Sequence, residues 1–294
     1  MDEVTAALKQ LRLPPSASRG DPSGSDQGLG DELAAGGSDR APEPKTPTQT
    51  DIFVRGVPDA HPLAIRPVKA SRALVEMPDH HENLLRPPFL MVVSAGVRSG
   101  KSVLIANLVY RKNYYRGVFK RIFLISPTAH ADPTFKAFVD DPNCEVHAPS
   151  SREEFSASVE HIQKTAAELA SASTEAAEEG PFLIVADDCA AFVRNGDALC
   201  QLATKYRHWG FSLIVSAQYY RMLPPVIRAN TTALVLFEVK NSKERTAVFE
   251  ENASTFGDRL EHVYNETMTK PYSFLVLDFR DRSLLPNWQL KIAV

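Results

Sequence analysis

"SAGVRSGKSVLIANLV", residues 94–109, decides how this chain is read. The apolar run FLMVVS (89–94) leads into it, and Val103, Leu104, Ile105 and Leu108 continue the stretch at helical spacing. Between strand and helix lies Ala95-Gly96-Val97-Arg98-Ser99-Gly100-Lys101-Ser102. It fits the phosphate-loop pattern Gly-x-x-x-x-Gly-Lys-Ser/Thr at every position but the first. Ala95 stands where glycine is usual. Alanine is still small, and the neighbouring Gly96 keeps some backbone freedom. A plain strand-to-helix turn with an exposed lysine is the bland alternative, but a strand before the loop and a helix after it is the setting the motif requires.

Each residue type here has a chemical reason. Gly100 lets backbone N–H groups converge on phosphate oxygens with no Cβ in the way. Lys101 sets a flexible ammonium against β- and γ-phosphates, and Ser102, in the first helical turn, offers a hydroxyl to Mg2+. The helix N-terminus adds partial positive charge. Residues 95–103, from Ala95 to Val103, are therefore the candidate nucleotide-binding segment, with ATP and Mg2+ as the expected cofactors.

A magnesium nucleotide also needs an acid at the end of another buried strand. FLIVADDC (182–189) supplies two. Asp187, directly after the apolar run, suits the Mg2+ shell, and Asp188 suits polarising the attacking water. Gln218 follows the run SLIVS (212–216) by two residues, where an amide can reach the γ-phosphate or the water. Two arginines are candidates to complete a neighbouring subunit's site: Arg207 in KYRHWG and Arg228 in PPVIRAN. A planar, permanently charged guanidinium suits transition-state charge on phosphoryl oxygens. Arg228 is favoured, because it follows a Pro-Pro turn and is expected beyond the C-terminal end of a strand, where phosphates bind in α/β sheets.

Around these motifs the chain alternates strands and helices. RIFLIS (121–126), FLIVA (182–186), SLIVS (212–216) and ALVLFE (233–238) are continuous apolar runs, the signature of parallel strands buried on both faces. Phe155, Val159, Ile162, Ala166 and Leu169 form one face of a helix over 152–170, and residues 243–267 read as a further helix. SFLVLDF (273–279) closes the chain and can pair with a strand near Leu284 as a hairpin. The reading is α/β: a mostly parallel central sheet covered by helices on both faces, spanning residues 51–294, with 51–88 as a proline-rich lead-in holding a strand at Leu63–Val68.

Residues 1–50 are different. From Pro14 onward they are rich in Pro, Gly, Ser and acid, cannot bury enough surface to offset ordering entropy, and are expected to be a disordered tail. This tail holds five basic and eight acidic residues, and so carries the whole net charge of −3. The remainder is formally neutral, so net charge gives no argument for a nucleic-acid partner. Three cysteines without CxxC spacing argue against a disulfide scaffold or zinc knuckle and suit a reducing compartment. No apolar run approaches the ~20 residues that span a bilayer, and the acidic N-terminus lacks a signal-peptide core. A soluble intracellular protein with no membrane partner is expected.

Taken in order, AGVRSGKS (95–102), RIFLISPT (121–128), FLIVADD (182–188), RHWGFSLIVSAQYYRMLPPVIRAN (207–230) and PYSFLVLD (271–278) resemble the poxvirus-type DNA-packaging ATPases, members of the FtsK–HerA group of P-loop motors. The resemblance implies a P-loop NTPase fold and a ring-shaped homo-oligomer that hydrolyses ATP to drive double-stranded DNA into a preformed capsid. It implies work at virion assembly sites in the host nucleus or cytoplasm, a capsid protein as a further partner, and a place in the virion itself. Lys101 and Ser102 match the family's phosphate and magnesium residues, Asp187 and Asp188 its acidic pair, and Gln218 its sensor. The wider group often has Glu at the second acidic position, where Asp188 reaches less far. Two other readings stand beside it: a P-loop nucleoside or nucleotide kinase, and a nucleotide-binding assembly scaffold that does not hydrolyse. A kinase would want a lid carrying several arginines, and the region after Asp188 has only scattered ones.

Overall fold

A strand that is apolar at every position can be solvated on neither face. The protein, described as a computed structural model, buries such strands on both. The structure describes residues 83–171 and 181–294. The expected tail (1–50), nearly all of the lead-in and the strand expected at Leu63–Val68 lie outside the described residues. The elements described belong to one compact unit, Val68–Val294.

β1 (Leu90–Ser94) enters the phosphate loop, and α1 (Lys101–Tyr110) leaves it. β2 (Arg121–Ile125), a 3-10 turn at Pro133–Phe135, the short α2 (Lys136–Val139) and β3 (Cys144–His147) follow. Next come α3 (Arg152–Ser171), β4 (Phe182–Ala186), α4 (Ala198–Trp209) and β5 (Ser212–Ala217). The chain continues through α5 (Pro225–Ala229), β6 (Ala233–Phe237), α6 (Ser242–Phe256) and α7 (Arg259–Thr267). β7 (Phe274–Asp278), β8 (Ser283–Pro286) and β9 (Ile292–Ala293) end it.

Among the described residues these strands form one sheet in the order β3-β2-β4-β5-β1-β6-β7-β8-β9. The six strands from β3 to β6 run parallel, and β7, β8 and β9 extend the sheet antiparallel. This is the mostly parallel sheet of a P-loop NTPase. The expected hairpin forms, with Leu277 opposite Leu284.

Successive residues of each central strand belong to opposite cores. Leu90 and Val92 pack with Phe155, Val159, Leu202, Val248 and Leu260 from α3, α4, α6 and α7. Met91 and Val93 pack with Ile105 and Leu108 of α1 and with Tyr115, Phe119, Phe135 and Phe138. For the central strands, two-sided coverage leaves the strand ends as the place where polar chemistry reaches solvent.

Several elements differ from the sequence reading, among them a broken helix and an edge strand. The helix expected over 243–267 is two helices, broken at Gly257, whose backbone (φ 58°, ψ −156°) suits glycine and not a continuing helix. β3 was not expected at all. Its residues Cys-Glu-Val-His alternate in polarity and are all half-buried, because it is an edge strand paired only to β2.

Phe89 anchors the start of β1. It is fully buried, its ring lies 5.3 Å from Tyr115 and 6.2 Å from Phe119, and its amide donates to the Ser212 hydroxyl at 3.3 Å. Phe89→Ala is expected to cost about 3–5 kcal/mol of folding stability, measured as a lower denaturation midpoint in urea at unchanged slope.

Candidate functional site

The C-terminal ends of β1, β4 and β5 meet at one rim of the sheet. Ser94 and Ala217 are the paired last residues of β1 and β5, and the Ala95 amide donates to the Ala217 carbonyl at 3.0 Å. Ala95 is buried and is not among the residues of positive φ, so this backbone tolerates the Cβ that replaces the usual glycine. Gly100 is different. It adopts φ 94°, a conformation that favours glycine, and a Cβ there would also press on the Tyr272 ring at 3.3 Å. Arg98 also has positive φ (61°), and the Ser99 hydroxyl ties back to the Gly96 carbonyl at 2.6 Å. Gly96, Val97 and Arg98 face solvent.

α1 begins with no side-chain cap and no acidic residue in its first turn. Its leading N–H groups and partial positive charge thus remain available to an anion. Ser102 is half-exposed in that turn, and Val103 is exposed beside it. Lys101 is buried, and its Nζ lies 2.8 Å from Asp188 Oδ1 and 3.7 Å from Asp187 Oδ1.

The two aspartates have unlike surroundings. Asp187 is only 2% exposed. Its amide donates to the Ile125 carbonyl at 2.9 Å, and its Oδ1 accepts the Ser216 hydroxyl at 2.5 Å. Burial pushes its carboxyl above the usual carboxylate range, against the opposing pull of Lys101 and Ser216. Asp188 is exposed, at φ 55°, and its amide donates to the Ser216 hydroxyl oxygen at 3.0 Å. One buried serine therefore orients both acids. The sequence reading did not single out Ser216. Its signal was a hydroxyl at the C-terminal end of the apolar run in SLIVSA, two residues before Gln218.

Gln218 is exposed just past β5 and lines a cleft of about 580 Å3. One wall of the cleft is Ser94–Ser99. The other is formed by Phe237–Asn241 and the segment Met268–Ser273, with Tyr272 70% exposed. Lys101 and the acidic pair lie outside this lining, on the β4 side of the loop. The arrangement thus offers anion-binding amides and an ammonium in the middle, carboxylates on one side, and a partly apolar cleft on the other.

Neither arginine joins this rim. Arg228 was expected on the phosphate side and is not there. Its carbonyl accepts from Thr231, and Thr232 donates to Leu90 at the first residue of β1, so Arg228 sits at the opposite, N-terminal edge of the sheet. It is also engaged, pairing with Glu251 of α6 and lying over the Tyr220 ring at 5.4 Å. The chain has already turned back between β5 and β6 when it reaches this residue. Arg207 is in the last turn of α4, at that same edge, exposed and over the Tyr206 ring at 5.8 Å.

Comparison with known proteins places this geometry in context. A family profile described as "Poxvirus A32 protein" matches residues 77–258, more than half of the chain. The "DNA packaging protein OPG160" of Variola virus is 28% identical over 163 residues, which is 55% of this chain and 57% of that protein. The Monkeypox virus protein of the same name is also 28% identical, over 51% of its length. The chain thus spans little more than half of the curated relatives it matches. Among solved structures, the genome packaging NTPase B204 of Sulfolobus turreted icosahedral virus 2, in complex with ATP-gammaS, aligns at TM-score 0.50 and 15% identity. It covers 69% of this chain and 98% of its own. The same protein with AMP aligns at TM-score 0.50 and 16% identity, over 71% and 100%. At such identity the likeness is one of fold.

The burial of Asp187 makes a prediction about stability. A carboxyl whose pKa is raised by folding holds its proton more tightly in the folded chain, so stability falls as pH rises from the unfolded value, 3.8, through the folded one. Asp187→Asn removes that penalty. The variant is expected to melt above the wild type at pH 7 in the absence of nucleotide, with the gap closing as pH is lowered toward 4. Thermal melts across this pH range check it.

Proposed function

The chain belongs to the poxvirus A32 protein family, and from that membership we propose that it is an ATP-hydrolysing motor that moves double-stranded DNA, packaging a viral genome into a preformed capsid. The observation that carries the chemistry is Lys101, held at the head of a phosphate loop between two aspartates that share Ser216. The names of the packaging relatives support the substrate.

In this reading the triphosphate lies along residues 95–103, with loop amides and the α1 N-terminus on its oxygens. The nucleoside extends into the cleft beside Tyr272. Phosphates draw Lys101 away from Asp188, exchanging one carboxylate for more concentrated negative charge. Asp188 is then free to accept a proton from water, whose oxygen bonds to the γ-phosphorus as the bond to the β-bridging oxygen breaks and ADP leaves. Gln218, exposed at the end of β5, orients the water or reads the γ-phosphate.

The residues present also fit a magnesium ion. The Ser102 hydroxyl and an Asp187 carboxylate are hard oxygen donors, few enough to leave room for water and phosphate. Burial disfavours the charged form of Asp187, and a cation beside it would restore that form. When bound, the ion neutralises charge gathering on the β- and γ-oxygens.

A shared site would rest on Arg207, the exposed guanidinium, since Arg228 would first have to break its pair with Glu251. The protomers would form a ring, working where virions assemble.

ATP turnover, measured with and without double-stranded DNA of increasing length, tests the proposal. Turnover is expected to rise with DNA length, to fall to background in Lys101→Ala, and to fall at least about 100-fold in Asp188→Asn with nucleotide still bound. Hydrolysis indifferent to DNA would favour a kinase or scaffold instead, and normal hydrolysis in Lys101→Ala would sink the phosphate-loop reading.

Mixed assemblies test the shared site. Combining Arg207→Ala with Lys101→Ala protomers is expected to restore turnover at interfaces that join the two intact halves, and combining Arg228→Ala with Lys101→Ala is not. An arginine finger contributes on the order of 10³-fold or more, so recovery would be readily measured. No recovery in either mixture means that the chemistry is complete within one chain.

A further inference from the structure

Away from the phosphate loop, at the β3 edge of the sheet, the geometry points to a second, unrelated site: Glu145, His147 and His161 form a three-ligand site for a divalent transition-metal ion of the Zn2+ class. Glu145 and His147 are two apart on β3, so their side chains leave the same face of the strand. That face meets α3, whose His161 is one position before the buried Ile162. The candidate ligand atoms, a carboxylate oxygen and two imidazole nitrogens, all lie within 4.8 Å of one another. Glu145 Oε1 is 2.9 Å from His161 Nε2 and 3.0 Å from His147 Nε2.

Those separations are close to what a metal needs. With bonds of about 2.0–2.2 Å, tetrahedral ligands stand roughly 3.3 Å apart. Side-chain rotations of a few tenths of an ångström at the carboxylate, and a modest closing of the two rings, would seat the ion. Two imidazoles and one carboxylate are a zinc-type donor set, with a fourth position left to water on the exposed His161 side.

Two further observations separate this cluster from an ordinary hydrogen-bonded surface patch. His147 Nε2 is buried and, despite its 3.0 Å approach to Glu145, has no aligned hydrogen-bond partner. A buried ring nitrogen is rarely left so, and a metal would satisfy it directly. The other carboxylate oxygen, Oε2, accepts from Arg121 at 3.1 Å. That bond orients Oε1 toward the two rings, the outer support that metal-ligating carboxylates usually have. Arg121 is itself braced over the Phe123 ring at 4.9 Å.

The consequence is mechanical. β3 is bonded to the sheet through β2 alone, and the ion would clip this edge strand to the helix that covers it.

The full chain, stripped with chelator and kept free of nucleotide, is titrated with Zn2+ against a chromophoric competitor. One tightly bound equivalent is expected, with a rise in melting temperature, and Co2+ in its place is expected to give the intense visible bands of a four-coordinate ion. His161→Ala and His147→Ala are each expected to weaken binding by more than the 10–100-fold that loss of an outer supporting bond costs, and to abolish the thermal shift. His161 is exposed, so its variant keeps the fold and the test decisive. Failure of the wild type to bind, or binding retained in either histidine variant, overturns the site.

Discussion

Everything at the candidate site depends on one buried carboxylate. Asp187 sits at the end of a strand with both faces covered, where an unpaired charge would be costly, and its neighbours exist to make it tolerable. Ser216 donates to it from the adjacent strand, and Lys101, at the start of the helix that follows β1 and the phosphate loop, stands 3.7 Å away. Both contacts require β4, β5 and β1 to end at the same level, which the parallel register of the sheet enforces. The apolar strands thus do more than fill a core: their aligned ends bring the loop that carries Lys101 and the turn that carries Asp187 and Asp188 to one place.

The same serine imposes a division of labour. By accepting from the Asp188 amide while donating to Asp187, Ser216 fixes the backbone turn between the two acids. One side chain is thereby kept inside and the other sent out to solvent. Two chemically identical residues, adjacent in sequence, acquire different tasks from their surroundings. The positive φ of Asp188 is the local conformational cost of that turn.

Much of this was legible in the sequence, and the reasons differ residue by residue. The buried strands could be read because two-sided burial admits only apolar side chains, a pattern that survives without any knowledge of neighbours. The phosphate loop could be read because Gly100, Lys101 and Ser102 have fixed spacing. β3 could not, since an edge strand mixes Cys144 and Val146 with Glu145 and His147 and imitates a loop. The break at Gly257 was not legible because a single glycine inside a helical pattern can be tolerated without ending the helix. Ser216 was hidden because serine is small enough to pass for core, and its partner lies 29 residues away. Arg228 was placed at the wrong edge because distance along the chain was taken for distance along the strand axis. A 3-10 turn and α5 had already carried the backbone to the other side.

The two rims of the sheet carry a consequence for crowding. At one margin is β3, four residues long, all half-buried, with Glu145 and His147 on one face; at the other is β9, only two residues. Neither presents a long apolar row of unpaired amides and carbonyls, so neither is a good template for another copy's strand. At high local concentration the described edges therefore give another copy little to add to the sheet, and association of that kind, which would set irreversibly, is disfavoured.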